Sequence, residues 1–368
     1  MEKIALIDPV GAKAGMDYYD LGLSYGLKDN SVEVFLFSNF QDSKSLIKTY
    51  PVFGKFYSNK FFQAINFFSA MFRACFICKS QNIKTVVLHL FSTQLMSFLS
   101  FLICKLFGLK IVVISHDVSS FASDDNSLFK NLIYKKWSSK IVVHNQFSFD
   151  ALSKSVDSIR DKISIIQHGS FVDMPNDKIT KPIALKALNL DSNYKYILFF
   201  GQIKKVKRLD LLLKAMAEVN SSIKLIVAGK LWKDNFDVYQ QIMDDYKLTD
   251  KVILDIQFIS DQKRELYFKC ADLMVLPYQE IYQSGVLLMA MSYGVPSLVS
   301  DISPFKEIIS DQSNGFLFES NNLTDLSQKI NSIISDDNTL ELVANQSVET
   351  MKNKHNWVKI AKCYLELF

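Results

Sequence analysis

PYQEIYQSGVLLMAMSYGVPSLVSDISPFKE, residues 277–307, decides how the rest of the chain is read. An apolar run, Leu273 to Leu276, stops at Pro277 and enters a short polar loop that holds Ser284 and Gly285. The pattern then predicts a helix from about Val286 to Tyr293, a stop at Gly294 and a second strand from Val295 to Val299. A strand, a small-residue turn and a helix N-terminus together make an anion site, because unpaired backbone N–H groups and the helix dipole aim at one spot. Gly285 lets a phosphate approach the backbone closely. An ordinary strand–helix–strand unit with a glycine turn has the same pattern, and these residues alone leave both readings open.

Working outward, a chain of 368 residues exceeds what one hydrophobic core usually serves, so two α/β domains are expected. Strand patterns fall at Ile4–Ile7, Glu33–Phe37, Thr85–Leu90, Ile111–Ser115, Ile141–Val143 and Ile163–Ile166 in a first domain, residues 1–172. They recur at Tyr196–Phe200, Ile223–Ala228, Val252–Asp255, Leu273–Leu276, Val295–Val299 and Phe316–Phe318 in a second, residues 183–352. Strands alternating with helices predict parallel, doubly wound, Rossmann-like sheets. Phe171 to Pro182, with two prolines and mixed polar residues, reads as the linker, and residues 353–368 read as a terminal helix.

Ligands of such sheets bind beyond the strand C-termini. The residues just after strands are therefore the candidates: Gly11 to Gly15, His89, His116 with Asp117, His144 with Asn145, His168 with Gly169, Gly201 to Lys207, Gly229 with Lys230, and Tyr278 to Gly285. Four of the five histidines fall at strand ends, a regularity that core histidines would not show.

Five cysteines (Cys75, Cys78, Cys104, Cys270, Cys363) lack disulfide-framework spacing. Cys75 and Cys78 lie in a Phe-rich helical pattern and read as buried or membrane-facing thiols. MEKIALIDPVG reads as a first strand and not as a signal peptide, which leads us to expect a cytoplasmic protein. Between Ser43 and His116 there are nine Lys or Arg, twelve Phe and no acidic residue, with Phe61, Ile65, Phe68 and Phe72 at helical spacing. A core helix with a basic rim and a nucleic-acid face are two readings. We favour a third, a basic, aromatic surface over residues 43–110 resting on an anionic leaflet. Leu95 to Phe107 falls short of the ~20 apolar residues of a spanning helix. No nucleic-acid module is present. Neither an Asp-x-Asp at a strand end (Asp124-Asp125 sits in a polar loop) nor a Cys/His cluster calls for a metal. GQIKKVKR is not a phosphate-binding loop of the NTPase type.

Four segments in order, ILFFGQIKKVKRLDLLLKAM (197–216), IKLIVAGK (223–230), ADLMVLPY (271–278) and the donor-loop stretch above, resemble the retaining, nucleotide-sugar-dependent glycosyltransferases of the GT-B fold, family 4. IVVISHD, IVVHN and ISIIQHG resemble three cleft-facing strand ends of the same family. The resemblance implies two Rossmann-like domains facing across a cleft, with the last helix crossing back to the first domain. It implies that Lys207 holds the donor pyrophosphate, with Lys204 or Lys205 supplying charge where the family's arginine is replaced by Gln202. Gly201, Gly229, Lys230, Tyr282, Gln283, Ser284, Gly285 and Val286 would line the donor, Phe258 and Ile259 its base, and His168 and Gly169 its hinge-side border. Gly11 and Gly15 would admit a donor or acceptor phosphate. His116 would sit near the reacting sugar, with Asp117 orienting it or binding acceptor hydroxyls.

The family's donor loop carries two glutamates, and ungapped alignment puts Ile281 and Met289 there. Glu280 lies one residue early and replaces the first only if the loop shifts. Glu307 resembles a recurrent acidic residue of structural role. No protein nucleophile is assigned, since the leaving phosphate itself can assist. The expected function is transfer of a sugar from a nucleotide donor to a glycan, polyprenyl-diphosphate-linked in the reading we prefer, in cell-surface polysaccharide assembly. The enzyme would be peripheral on the inner face of the membrane, with no metal or other cofactor. Its rivals are a nucleotide-sugar epimerase of the same architecture and a silent nucleotide-sugar-binding subunit, for which Gln202, Ile281 and Met289 speak.

Overall fold

The computed structural model describes residues 2–54, 59–118, 126–233 and 235–368; Asp124 and Asp125 lie outside them. The chain divides into two units, Met1–Gly169 with His355–Phe368, and Ser170–Lys354.

In the first unit seven strands form one parallel sheet: β1 (Lys3–Ile7), β2 (Glu33–Phe37), β3 (Lys48–Tyr50), β4 (Thr85–Leu90), β5 (Lys110–Ser115), β6 (Ser138–Val143) and β7 (Ile163–Ile165), in the order β3-β2-β1-β4-β5-β6-β7. Ile4–Ile7, Val86–Leu88 and Ile111–Ile114 are buried throughout, the unbroken apolar runs expected of strands covered on both faces. Order reverses between β1 and β4, so the C-terminal ends of those two strands open a crevice.

β3 did not stand out in the sequence, because Lys48, Thr49 and Tyr50 carry no apolar alternation. It is an edge strand whose pairing comes from tertiary contacts: Lys48 bonds Glu33 at 2.6 Å and Tyr50 stacks on Phe37 at 4.9 Å. Part of the basic segment is therefore sheet edge.

In the second unit six strands form another parallel sheet: β8 (Lys195–Phe200), β9 (Ile223–Ala228), β10 (Val252–Asp255), β11 (Leu273–Leu276), β12 (Ser297–Ser300) and β13 (Phe316–Phe318), ordered β10-β9-β8-β11-β12-β13. Its reversal lies between β8 and β11. The stretch read as a linker is packed onto this unit. Phe171 is buried and its N–H donates to Ser292 Oγ at 3.0 Å, Asn176 N–H donates to Glu265 Oε1 at 2.8 Å, and a helix, Lys181–Ala187, starts around Pro182.

The terminal helix, Trp357–Leu365, belongs to the first unit and packs on the helix Asp17–Asp29. Glycines make the fit possible: a Cβ at Gly22 or Gly169 would run into the Trp357 ring, and one at Gly26 into the Trp357 carbonyl. Tyr19 and Tyr364, both buried, share a hydrogen bond of 2.8 Å between their hydroxyls.

The Phe-rich segment forms the helix Lys60–Ser80, which packs against the helix Leu95–Leu106 through Cys75 and Cys104, whose sulfurs lie 3.7 Å apart. Ala70, Met71, Ala74, Cys75 and Cys78 are buried, while Phe61, Phe62, Ile65, Phe72 and Phe76 are exposed. Residues Phe61–Ser80, with a mean hydropathy of 1.4, are long and apolar enough to cross a membrane by length and composition, a property the sequence analysis did not assign to them.

Candidate functional site

In the second unit the loop after β8 folds back on the neighbouring strand ends. Gly201 N–H bonds Ala228 O at 2.9 Å, Ile203 N–H bonds Lys230 O at 2.9 Å, and Gln279 N–H bonds Val206 O at 2.8 Å. Gly201 is left-handed, with φ +97°, and a Cβ there would lie 3.3 Å from Val286 Cγ2 and 3.5 Å from Lys207 Nζ. That one position shows three expected elements converging: the end of β8, the Lys207 ammonium and the start of the helix Gly285–Ser292.

Lys207 ends a short 3-10 turn, Lys205–Lys207, and its side chain is folded inward, 9% exposed, with Nζ 5.0 Å above the Tyr278 ring. Burial, then the charge of Lys204, pulls its pKa down to about 7; no carboxylate among the described residues counters them. A buried lysine shifted in this way is a candidate for binding an anion.

Ser284 caps the helix, its Oγ accepting from Leu287 N–H at 3.2 Å. The first-turn N–H groups of Gly285 and Val286 have no intrahelical acceptor, and no acidic side chain occupies that turn. A Cβ on Gly285 would meet nothing within 4 Å, so the space in front of the turn is open. Tyr278 is fully buried beneath, its hydroxyl pKa raised by burial against the opposing pull of Ser284.

Of the other residues expected here, Gln202, Lys205, Lys230 and Glu280 are exposed, Lys204, Ile259 and Gln283 half-buried, Tyr282 buried and Phe258 exposed. No hydrogen bond, ion pair or ring contact among the described residues joins the side chains of Glu280 or Phe258 to Lys207. Trp232 was not foreseen; Lys204 Nζ lies 5.2 Å from its ring centre, above its face. The bridge between Ile203 and Leu231, with Trp232 N–H bonding Ile203 O at 3.0 Å, brings that tryptophan beside the loop.

The state of Lys207 has a measurable sign. The folded protein releases the lysine proton near pH 7 and the unfolded chain keeps it to about pH 10.5, so this group makes stability rise with pH across that interval. A bound diphosphate favours the ammonium. Binding at pH 8 is therefore expected to take up a proton, about one at most, read by calorimetry in two buffers of different protonation enthalpy and abolished in Lys207→Met.

In the first unit, the glycine loop after β1 serves itself. Asp8, fully buried, accepts from Val10 N–H at 2.9 Å and Gly11 N–H at 3.0 Å. Gly11 has φ +47° and no room for a Cβ beside Ser38 and Asn39. Its N–H is thus taken by a carboxylate and serves the loop itself. Gly15, φ +70°, closes the 3-10 turn Gly11–Ala14 and faces open space.

The histidines at the strand ends do come together. Around Tyr19 lie the rings of His89 at 5.2 Å, His116 at 5.5 Å, His144 at 5.6 Å and His168 at 4.8 Å. His168, expected beside the donor, is buried in this cluster, where its Nδ1 contacts Gly169 O at 2.7 Å and its backbone carbonyl meets His355 Nδ1 at 2.7 Å. Burial lowers the pKa of His144 to about 4 and of His168 to about 3. His116 is also held well below the usual range, by burial and then by His89, His144 and His168. Asp117, next to it, is half-buried.

His89 differs from the others. Its Nε2 lies 3.0 Å from Asp20 Oδ1, and Asp8, Asp20 and His89 bring their polar atoms within 4.8 Å of one another. Burial disfavours its charge, but Asp20 and Asp8 outweigh that and raise its pKa. Burial and then Asp8 push the pKa of Asp20 up, while its contact with His89 pulls it back down. Asp8 and Asp20 were not among the candidates: Asp8 directly follows β1 but was passed over for Gly11 to Gly15, and Asp20 lies inside a helix.

Residues 180–350 match the family model described as glycosyl transferases group 1. Two uncharacterized glycosyltransferases of Methanocaldococcus jannaschii are each 26% identical, over 48% of this chain and 45% of one relative, and over 66% of this chain and 66% of the other. The chain thus spans about half to two thirds of the length of these curated relatives. Among solved structures, Anabaena HepE, determined with UDP and glucose, superimposes with a TM-score of 0.77 at 15% identity over 100% of this chain and 99% of that one. The chain therefore has the GT-B fold, and residues 180–350, in its second unit, are similar to the glycosyl transferases group 1 family.

Proposed function

We propose that the protein is a metal-independent, retaining glycosyltransferase that moves a sugar from a nucleoside diphosphate to a lipid-linked glycan in cell-surface polysaccharide assembly. The convergence at Gly201 carries this reading. A buried lysine, open first-turn N–H groups and a left-handed glycine meet at the C-terminal edge of the β8/β11 switch point, where a departing diphosphate needs positive charge and donors. The HepE structures hold UDP or UDP-glucose, which makes uridine nucleotides the first donors to try.

The test is release of nucleoside diphosphate from a panel of nucleotide sugars, with EDTA present, with and without detergent-dispersed polyprenyl-diphosphate glycan. Turnover of one donor that requires the lipid acceptor and keeps the anomeric configuration supports the proposal. Donor binding without turnover under any condition favours the silent binding subunit, whose case rests on Gln202, Ile281 and Met289.

The acceptor side rests on the helix Lys60–Ser80. One face is docked through Met71, Ala74, Cys75 and Cys78, so the helix lies along the unit, and its outer face exposes Phe61, Phe62, Phe72 and Phe76 beside Arg73 and Lys79. That pairing of apolar and basic side chains fits the headgroup zone of an anionic leaflet on the cytoplasmic side. Changing Phe61, Phe62 and Phe76 together to Ser is expected to weaken binding to anionic vesicles at least ~100-fold, with donor binding unchanged. Equal vesicle binding by the variant in a flotation assay would remove the membrane role.

A further inference from the structure

We infer that Asp20 and His89 are positioning residues for His116: paired with Asp20 through Nε2, His89 donates through Nδ1 to His116 Nε2 and so makes His116 an Nδ1–H donor. The inference rests on the transferase reading for what His116 does, and on geometry for how His116 is held.

Asp8 and Asp20 are both fully buried, and with His89 they bring one ligand atom each within 4.8 Å. Neighbouring buried carboxylates require a cation or a proton. His89 supplies the cation: its Nε2 lies 3.0 Å from Asp20 Oδ1, an ion-pair contact whose angle falls outside hydrogen-bond geometry, with both groups shut off from solvent. An imidazolium donates from both nitrogens. The second, Nδ1, lies 2.7 Å from His116 Nε2, the length of a charge-assisted bond.

One proton cannot lie on both sides of that contact, so His116 accepts there and carries its own proton on Nδ1. The groups around His116 agree with a neutral ring: Phe91 stacks on it at 4.6 Å, Tyr19 meets it edge-on, His144 is 5.3 Å away, and Asp117 follows it in the chain. A neutral imidazole with a cation behind it is a polarised N–H donor, able to bind a sugar hydroxyl oxygen or a developing negative charge.

Histidine labelled with nitrogen-15 reads the arrangement by NMR without any turnover. The wild type is expected to show His89 protonated on both nitrogens at pH 7 and His116 neutral with its proton on Nδ1. In Asp20→Asn, His89 loses its proton at lower pH and His116 shifts toward the Nε2–H form. The kcat is expected to fall at least ~10-fold while the KM for donor, set by the Lys207 site, stays within ~2-fold. His89→Phe should lose kcat similarly, and His89→Asn, whose amide can donate near the place of Nδ1, should recover part of it.

A wild-type His116 protonated on Nε2 would overturn the inference. So would a tautomer that Asp20→Asn leaves unchanged, a kcat that does not follow the tautomer, or a stoichiometric metal ion found by mass spectrometry in place of the proton. A chain that turns over no donor yet shows the expected nitrogen signals would remove the transferase reading and with it the catalytic part of the inference, leaving the hydrogen-bond chain itself established.

Discussion

Lys207→Ala is expected to lower kcat/KM for the nucleotide-sugar donor at least ~100-fold, a loss of ~2.7 kcal/mol of transition-state stabilisation. The ammonium is held inside the fold above Tyr278 with no carboxylate among the described residues to neutralise it, so most of its interaction energy is available to a ligand. Charge on the diphosphate grows as the glycosidic bond breaks, so the loss should appear in kcat as well as in KM. Lys207→Arg is not a rescue, because the bulkier planar guanidinium does not fit a pocket bounded by Gly201, Val286 and the Tyr278 ring. The same substitution relieves an unfavourable burial. Lys207→Ala should therefore melt no lower than the wild type near pH 7, which separates loss of function from loss of fold. Retained activity in a steady-state assay would detach the donor phosphate from this lysine.

Gly229→Ala should be the most destabilising single change in the second unit, by about 3 kcal/mol or more. At φ +156° the position suits glycine, and an added Cβ would strike the carbonyl of Gly201, which is backbone and cannot rotate away. Gly201 N–H is bonded to Ala228 O, and Gly229 N–H to Asp255 O at 3.0 Å, so the clash pushes against two strand ends at once. Relief requires the Gly201 loop to move off Lys207 and Val286, so donor affinity should fall with stability. Urea unfolding together with calorimetric donor binding checks both. A variant as stable as the wild type would mean that the two loops are not held as closely as described. Gly285→Ala is the contrasting control, since a Cβ there meets nothing within the fold and its effect should be confined to the ligand.

Much of this was legible along the chain because the signals are local. Runs such as Ile4–Ile7 and Leu273–Leu276 announce buried parallel strands, and Ser284-Gly285 after Pro277 announces a strand–turn–helix. The placement of Lys207 at the turn after β8 was likewise readable. Its burial was not, since a lysine after two other basic residues looks solvated until Tyr278 arrives from another strand. The bonding of the Gly11 N–H was not legible for the same kind of reason. A glycine loop after a first strand looks like a phosphate cradle, and only the buried Asp8 carboxylate beneath it shows that the N–H is already used.

The sequence by itself determined the alternation of strands and helices, two sheets' worth of strands, a glycine-gated turn before an apolar helix, and histidines stationed at strand ends. Periodicity, turn chemistry and capping act over a few residues, so they can be read without knowing the neighbours. Tertiary structure alone decided that Lys48–Tyr50 joins the sheet, that the last helix seats Trp357 on Gly22, Gly26 and Gly169, and that Asp8, Asp20 and His89 share one buried site beside His116. Those facts depend on burial and on charges brought together from distant segments. The energy of a buried charge is set by its surroundings and not by its place in the chain.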